Sequence, residues 1–172
     1  MIVIVEGIDR TGKTTLCNKL VEKGFLCLKD SVNIPSEVVK EINFDVFSLG
    51  KIDTTVSLLK LLDDADIDVV MDRLHLTELV YGLLERSAKN VNIVSILDKI
   101  IAVKLKPILV LVQPTDIEMS CEKHGKDLHG HDRLFNKALE CFTYIDRKFI
   151  TNFNELDSVV KKILDEKSLE VK

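Results

Sequence analysis

Along the chain, short unbroken apolar runs alternate with stretches in which apolar residues recur every three or four positions. Residues 2–5, 25–28 and 107–112 are runs of the first kind, 67–71 is one broken only by Asp68, and 149–153 is a fifth, short strand candidate. A strand covered on both faces reads as continuously hydrophobic rather than alternating, so these predict buried parallel strands. Residues 14–23, 56–62, 74–84, 93–103, 131–147 and 155–167 carry the helical spacing, with the second of these helices expected to stop before Asp63 and Asp64. Strands alternating with helices predict an α/β doubly wound fold, a five-stranded parallel sheet with helices on both faces. The two least hydrophobic stretches, 29–37 and 122–132, predict loops over a site, because loops at strand ends carry function in such sheets. The second, taken as 121–132, is read as a small lid. No Gly/Ser/Pro linker or repeat divides the chain, so residues 1–172 form a single domain.

The chemistry begins directly after the first strand. Gly7-Ile8-Asp9-Arg10-Thr11-Gly12-Lys13-Thr14 fits GxxxxGK[ST], between a strand and a helix as this P-loop motif requires. Its glycines let backbone amides wrap phosphate oxygens, and the helix that follows points its positive end at them. Lys13 is expected to reach the β- and γ-phosphates of ATP, and the Thr14 hydroxyl to ligate Mg²⁺. Asp72 ends the third apolar run, where a carboxylate can hold Mg²⁺ through water or cap the next helix. Fold class, motif and Asp72 together describe a P-loop domain that binds ATP and Mg²⁺.

Composition narrows the partners. The chain has 172 residues, a net charge of −4 and nine aromatics, two Tyr and seven Phe, with no basic run. Nucleic-acid binders usually carry a basic stripe, so no nucleic-acid partner is expected. The longest apolar run is far short of a bilayer span, and no membrane partner is expected. Cys17, Cys27, Cys121 and Cys141 form no CxxC pair and read as free, mostly buried thiols. With Met1 running straight into a strand and no signal peptide, the expected location is the cytoplasm.

The residues from 5 to 15 resemble the P-loop of thymidylate kinases, including Glu6 before the first glycine and Asp9 inside the loop. Phe47-Ser48-Leu49-Gly50-Lys51 is similar to that family's Phe-x-x-x-Arg segment, with Lys51 in place of Arg. Asp72-Arg73 is similar to its Asp-Arg-Tyr motif, with Leu74 in place of Tyr; Thr77 falls where the family has Ser, and Tyr81 where it has an aromatic. The resemblance implies a nucleoside monophosphate kinase acting on dTMP or a related deoxynucleotide, and a homodimer is possible. It implies nucleotide contacts from Gly7 through Thr15, among them Thr11, Gly12 and Thr15. It implies that Asp9 contacts the acceptor sugar, Arg73 binds the acceptor phosphate, and Phe47 stacks on the base, with Thr77 and Tyr81 beside it. Lys51 would lie at the base edge, where a lysine cannot copy arginine's fork-shaped contact.

Arg10 has a physical case of its own. Phosphoryl transfer needs a cation against charge growing on the transferred group. The lid, from Glu122 to His131, has no arginine, and Arg133 lies just past it, so Arg10 is the candidate. Lys123, Lys126 and His124 are further phosphate candidates. His75 and Glu78, one helical turn apart, could touch substrate or pair on the helix surface. Cys121, His124, His129 and His131 fit no strong zinc spacing and read as a polar lid without metal. The family's Arg-Glu-Pro segment is replaced by Lys29-Asp30-Ser31. The rival reading is a deoxynucleoside kinase, with Asp30 or Glu37 as base; a P-loop switch or binding module ranks lower, because a complete Asn-Lys-x-Asp is missing.

Overall fold

The computed structural model describes residues 1–29, 44–85, 91–141 and 143–170. Five strands, β1 (Ile2–Glu6), β2 (Leu26–Lys29), β3 (Val69–Asp72), β4 (Ile108–Gln113) and β5 (Arg147–Asn152), form one sheet in the order β2-β3-β1-β4-β5. Every pairing is parallel. Seven helices accompany it among the described residues: α1 (Lys13–Val21), α2 (Phe44–Asp64), α3 (His75–Glu85), α4 (Val91–Leu105), α5 (Ile117–His124), α6 (His129–Cys141) and α7 (Leu156–Glu170).

Side chains alternate across a strand, which splits the apolar runs between two cores. Ile2, Ile4, Val69, Met71, Leu109 and Leu111 face a layer containing Ile52, Leu79, Ile101 and Phe135 from α2, α3, α4 and α6. Val3, Val5, Val70, Val110 and Val112 face the opposite layer, where Leu16, Leu20, Val159 and Ile163 come from α1 and α7. The three inner strands are therefore almost wholly buried, while edge strand β2 exposes its two end residues, Leu26 and Lys29, and edge strand β5 exposes Lys148 and Ile150.

Three expectations need correction. Helix α2 runs from Phe44 through Asp64, so Asp63 and Asp64 lie inside its last turn rather than beyond it. The helix expected over 131–147 ends at Cys141, and Arg147 already starts β5. Asp98 of α4 is responsible: it accepts hydrogen bonds from the Tyr144 amide and from Thr143 Oγ1 at 2.8 Å, giving this backbone a partner other than a helical carbonyl. The polar stretch 122–132 is not an irregular loop but two helices and a turn. Asp116 caps α5 by accepting from the Met119 amide at 3.1 Å, and Gly125 ends it at φ 66°, its amide bonding to Cys121 O at 2.9 Å. Asp127 then accepts the His129 amide at 2.9 Å and opens α6. Among the described residues, no helix is long and apolar enough to cross a membrane.

Candidate active site

The sheet order sends the chain from β1 outward to β2 and β3 on one side, then across to β4 and β5 on the other. Such a switch point opens a crevice at the carboxyl ends of the strands. Val5 pairs with Asp72 and Glu6 with Leu111, so the residues after β1, β3 and β4 meet at one edge.

The loop after β1 is held tightly. Gly7 sits at φ 135°, and a Cβ there would lie 2.3 Å from the Val112 carbonyl oxygen of β4. Gly12, at φ 103°, opens α1 in the left-handed region; its Cβ would stand 2.8 Å from the Phe153 ring. Thr11 donates to Ile8 O at 3.1 Å, and the buried Lys13 Nζ donates to the same carbonyl. Burial lowers the Lys13 pKa to about 8, partly opposed by the negative charges of Asp72 and Glu6. Arg10 projects from a positive-φ position and is exposed.

Opposite the loop stand Asp72 and Arg73. Thr14 Oγ1 lies 3.5 Å from Asp72 Oδ2, while Asp72 Oδ1 is buried without a hydrogen-bond partner among the described residues. Two hard oxygen donors, one of them with unspent acceptor capacity, suit Mg²⁺. Arg73 adopts φ 75°, its amide donating to Val5 O at 2.9 Å. Its guanidinium donates to Asp9 Oδ1 and lies 5.5 Å from the centre of the Tyr81 ring. Asp9, Arg10, Gly12, Lys13, Thr14, Thr15, Asp72 and Arg73 thus border one open cavity of about 480 Å³.

Two further residues line it. His124, at the end of α5, brings Nε2 to 3.6 Å from Asp9 Oδ2. Burial and then the charge of Arg10 hold its pKa below the usual imidazole value, with Lys126, Lys13 and Arg73 adding to the effect. Phe153, 55% exposed just after β5, forms the far wall. The stretch 149–153 predicts it as the last residue of a strand, whereas β5 ends at Asn152; its signal is an exposed aromatic at the carboxyl edge of the sheet.

Behind the site, Glu6 is fully buried. Its Oε1 accepts the amides of Leu74 at 2.9 Å and Leu76 at 3.1 Å, and its Oε2 accepts the Thr77 hydroxyl. Thr77 therefore faces Glu6, and Glu6 fixes the start of α3 and the turn that carries Arg73. Burial raises the Glu6 pKa, opposed first by the nearby His75. This role was not legible from the chain.

Tyr81 is buried, with Lys126 Nζ 5.5 Å from its ring centre and the His131 ring 4.9 Å away. Glu85 joins this group, accepting from Lys126 and bonding His131 Nε2 at 2.8 Å. Lys51 Nζ donates to Glu78 Oε1 at 2.9 Å. His75 neither reaches the cavity nor pairs on the helix surface with Glu78: it is completely buried, with Nε2 2.7 Å from Asp98 Oδ1. The four-residue group Cys121, His124, His129 and His131 also divides, His124 turning to the cavity and His131 to Glu85. Of the cysteines, Cys17 is buried, whereas Cys27 and Cys121 are half-buried. Phe47 lies within α2, but its side chain, like that of Cys141 in α6, is outside the described residues, as are Asp30 and Glu37.

This architecture recurs in solved structures. The YorR protein from Bacillus subtilis, crystallised in complex with phosphorylated GDP, superposes with a TM-score of 0.69 at 19% identity, covering 99% of this chain and 97% of that one. The thymidylate kinase from Ehrlichia chaffeensis gives 0.56 at 16% identity, covering 95% and 98%. The chain has the P-loop kinase fold. Helices on both faces of the five-stranded sheet and the loop 7–14 at its switch point are the parts of that fold already described. No protein-family model matches the sequence, and no curated protein matches it.

Proposed function

We propose that the chain is a kinase that transfers the γ-phosphoryl group of ATP to a nucleoside monophosphate. An oxygen of the acceptor phosphate attacks the γ-phosphorus, the bond to the β,γ-bridging oxygen breaks, and ADP and a nucleoside diphosphate leave. The observation that carries this reading is Arg73. It stands at the end of β3, borders the same cavity as Lys13 and Thr14, and is held there by Asp9 and the Tyr81 face. A planar, permanently charged fork suits two phosphate oxygens far better than a neutral hydroxyl.

The remaining roles follow from position. Lys13 and the amides of the loop hold the β- and γ-phosphates. Arg10, exposed at the cavity rim, meets charge developing on the transferred group. Thr14 and Asp72 would hold Mg²⁺, which when bound neutralises phosphate oxygens. Residues 121–132 act as a lid that brings His124 and Lys126 to the phosphates. The acceptor base lies against Phe47, with Lys51 at its edge and Thr77 and Tyr81 close by, and dTMP or a related deoxynucleotide is the proposed acceptor. A cytoplasmic location and the absence of a nucleic-acid partner belong to the same reading.

The test compares kcat/KM for paired acceptors, thymidine against thymidine monophosphate and deoxyguanosine against its monophosphate. Each monophosphate should outcompete its nucleoside, and Arg73→Ala should raise the monophosphate KM steeply while changing nucleoside use little. A nucleoside that wins its pair by about tenfold, more than 1 kcal/mol of transition-state discrimination, replaces this reading with a nucleoside kinase. Label appearing only as free phosphate would mark a nucleotide hydrolase instead.

A further inference from the structure

The turn between α5 and α6 gathers three side chains of different chemistry. Cys121 Sγ lies 3.8 Å from His129 Nδ1, and His129 Nδ1 lies 2.8 Å from Asp127 Oδ1. All three donor atoms fall within 4.8 Å of one another. Ligands about 2.0–2.3 Å from a tetrahedral zinc ion stand roughly 3.3–3.7 Å apart, so adjustments of about an ångström would seat an ion among them.

Two neighbours complete the arrangement. The Leu128 amide donates to Cys121 Sγ at 3.2 Å and so holds the sulfur in the turn. Glu118 Oε1 lies 3.1 Å from His129 Nε2, the ring nitrogen pointing away from the cluster. A carboxylate on the far nitrogen of a ligating histidine fixes its tautomer and strengthens it as a ligand. A hydrogen-bonded turn alone would call for the Asp127 contacts to residue 129, not for a thiol with its own amide donor on the same nitrogen.

We propose that Cys121, Asp127 and His129 bind a zinc-class divalent cation, with Glu118 as the outer partner of His129. Thiolate with imidazole selects such ions over Mg²⁺ and Ca²⁺. On binding, the thiol proton leaves to solvent, the ring proton resides on Nε2 toward Glu118, and the ion takes the place of a proton between His129 Nδ1 and Asp127. A solvent molecule completes the coordination on the open side, where Asp127 and His129 are exposed. The ion would staple residues 121–129 and so fix the turn that carries His124 and Lys126.

Cobalt reports on this directly. The full-length chain, stripped with chelator and kept reduced by a phosphine, is titrated with Co²⁺. One equivalent should produce a thiolate-to-cobalt charge-transfer band in the near ultraviolet, which Zn²⁺ then bleaches. Cys121→Ser should remove the band; His129→Ala and Asp127→Asn should weaken binding at least about tenfold, and Glu118→Gln about 10–100-fold. Circular dichroism checks each variant's fold, and the variants at the exposed His129 and Asp127 carry the test if Cys121→Ser misfolds. No band at excess Co²⁺ overturns the proposal, because ions held only by Thr14 and Asp72 lack a thiolate. A band with unchanged affinity in both His129→Ala and Asp127→Asn overturns it as well.

Discussion

Glu6 offers a quantitative test of how the site is held together. Its buried carboxylate accepts three hydrogen bonds from the segment that opens α3, from Leu74 just before the helix and from Leu76 and Thr77 in its first turn, all themselves buried. Glu6→Ala leaves three donors without an acceptor, each costing about 1–3 kcal/mol. Against this, removing a buried acid relieves a desolvation penalty of several kcal/mol. The net expectation is a loss of about 2–4 kcal/mol in urea unfolding. Glu6→Gln keeps an oxygen for the two amides and lets the Thr77 hydroxyl turn, so it should stay within about 1 kcal/mol of wild type. The two proteins should differ in pH dependence. Burial raises the folded pKa of Glu6 above 4.5, so its contribution to stability is fully present below about that pH. It is lost as pH rises through the raised folded value. The stability of wild type relative to Glu6→Gln should therefore fall as pH rises from about 4.5 through the raised folded value. A cost under about 1 kcal/mol for Glu6→Ala, or a relative stability that is flat or rises with pH, would refute the reasoning.

Other substitutions test the phosphate loop. Lys13→Ala should abolish transfer in a chain whose circular dichroism and unfolding curve remain native; ordinary turnover in that variant would remove the proposed chemistry. Arg10→Gly should lower kcat by about 10²-fold with a smaller effect on the ATP KM, because a contact that strengthens as charge develops costs rate. An unchanged kcat would hand the role to Lys123, Lys126 or Arg133. Gly7→Ala places a methyl 2.3 Å from Val112 O at φ 135°. Backbone strain of about 1–3 kcal/mol, together with displacement of the loop from β4, should lower the melting temperature and raise the nucleotide KM. A variant indistinguishable from wild type in both would mean the loop is not pinned at that contact.

The sequence by itself determined whatever depends on neighbours along the chain. Short apolar runs alternating with helical stretches fit strands covered on both faces, so the parallel sheet was readable from them, its buried inner strands β1, β3 and β4 most directly. The phosphate loop is a single contiguous stretch, and Asp72 with Arg73 is marked by its place at a strand end. Tertiary structure decided what depends on residues far apart. Glu6 meets Leu74, Leu76 and Thr77 across 68 to 71 positions, and only the pairing of β1 with β3 brings them together. Asp98 reaches 45 positions forward to Thr143 and, beside it, engages Tyr144, ending a helix that local spacing would have continued. The same carboxylate draws His75 into the core, although its spacing from Glu78 suggested a surface pair. The histidines of 124–131 look equivalent on paper. The left-handed turn at Gly125 sends His124 to the cavity, His131 to Glu85, and His129 back to Cys121 and Asp127. Periodicity fixes which face a residue takes on its own element, while the partner that face meets is set by how the elements pack.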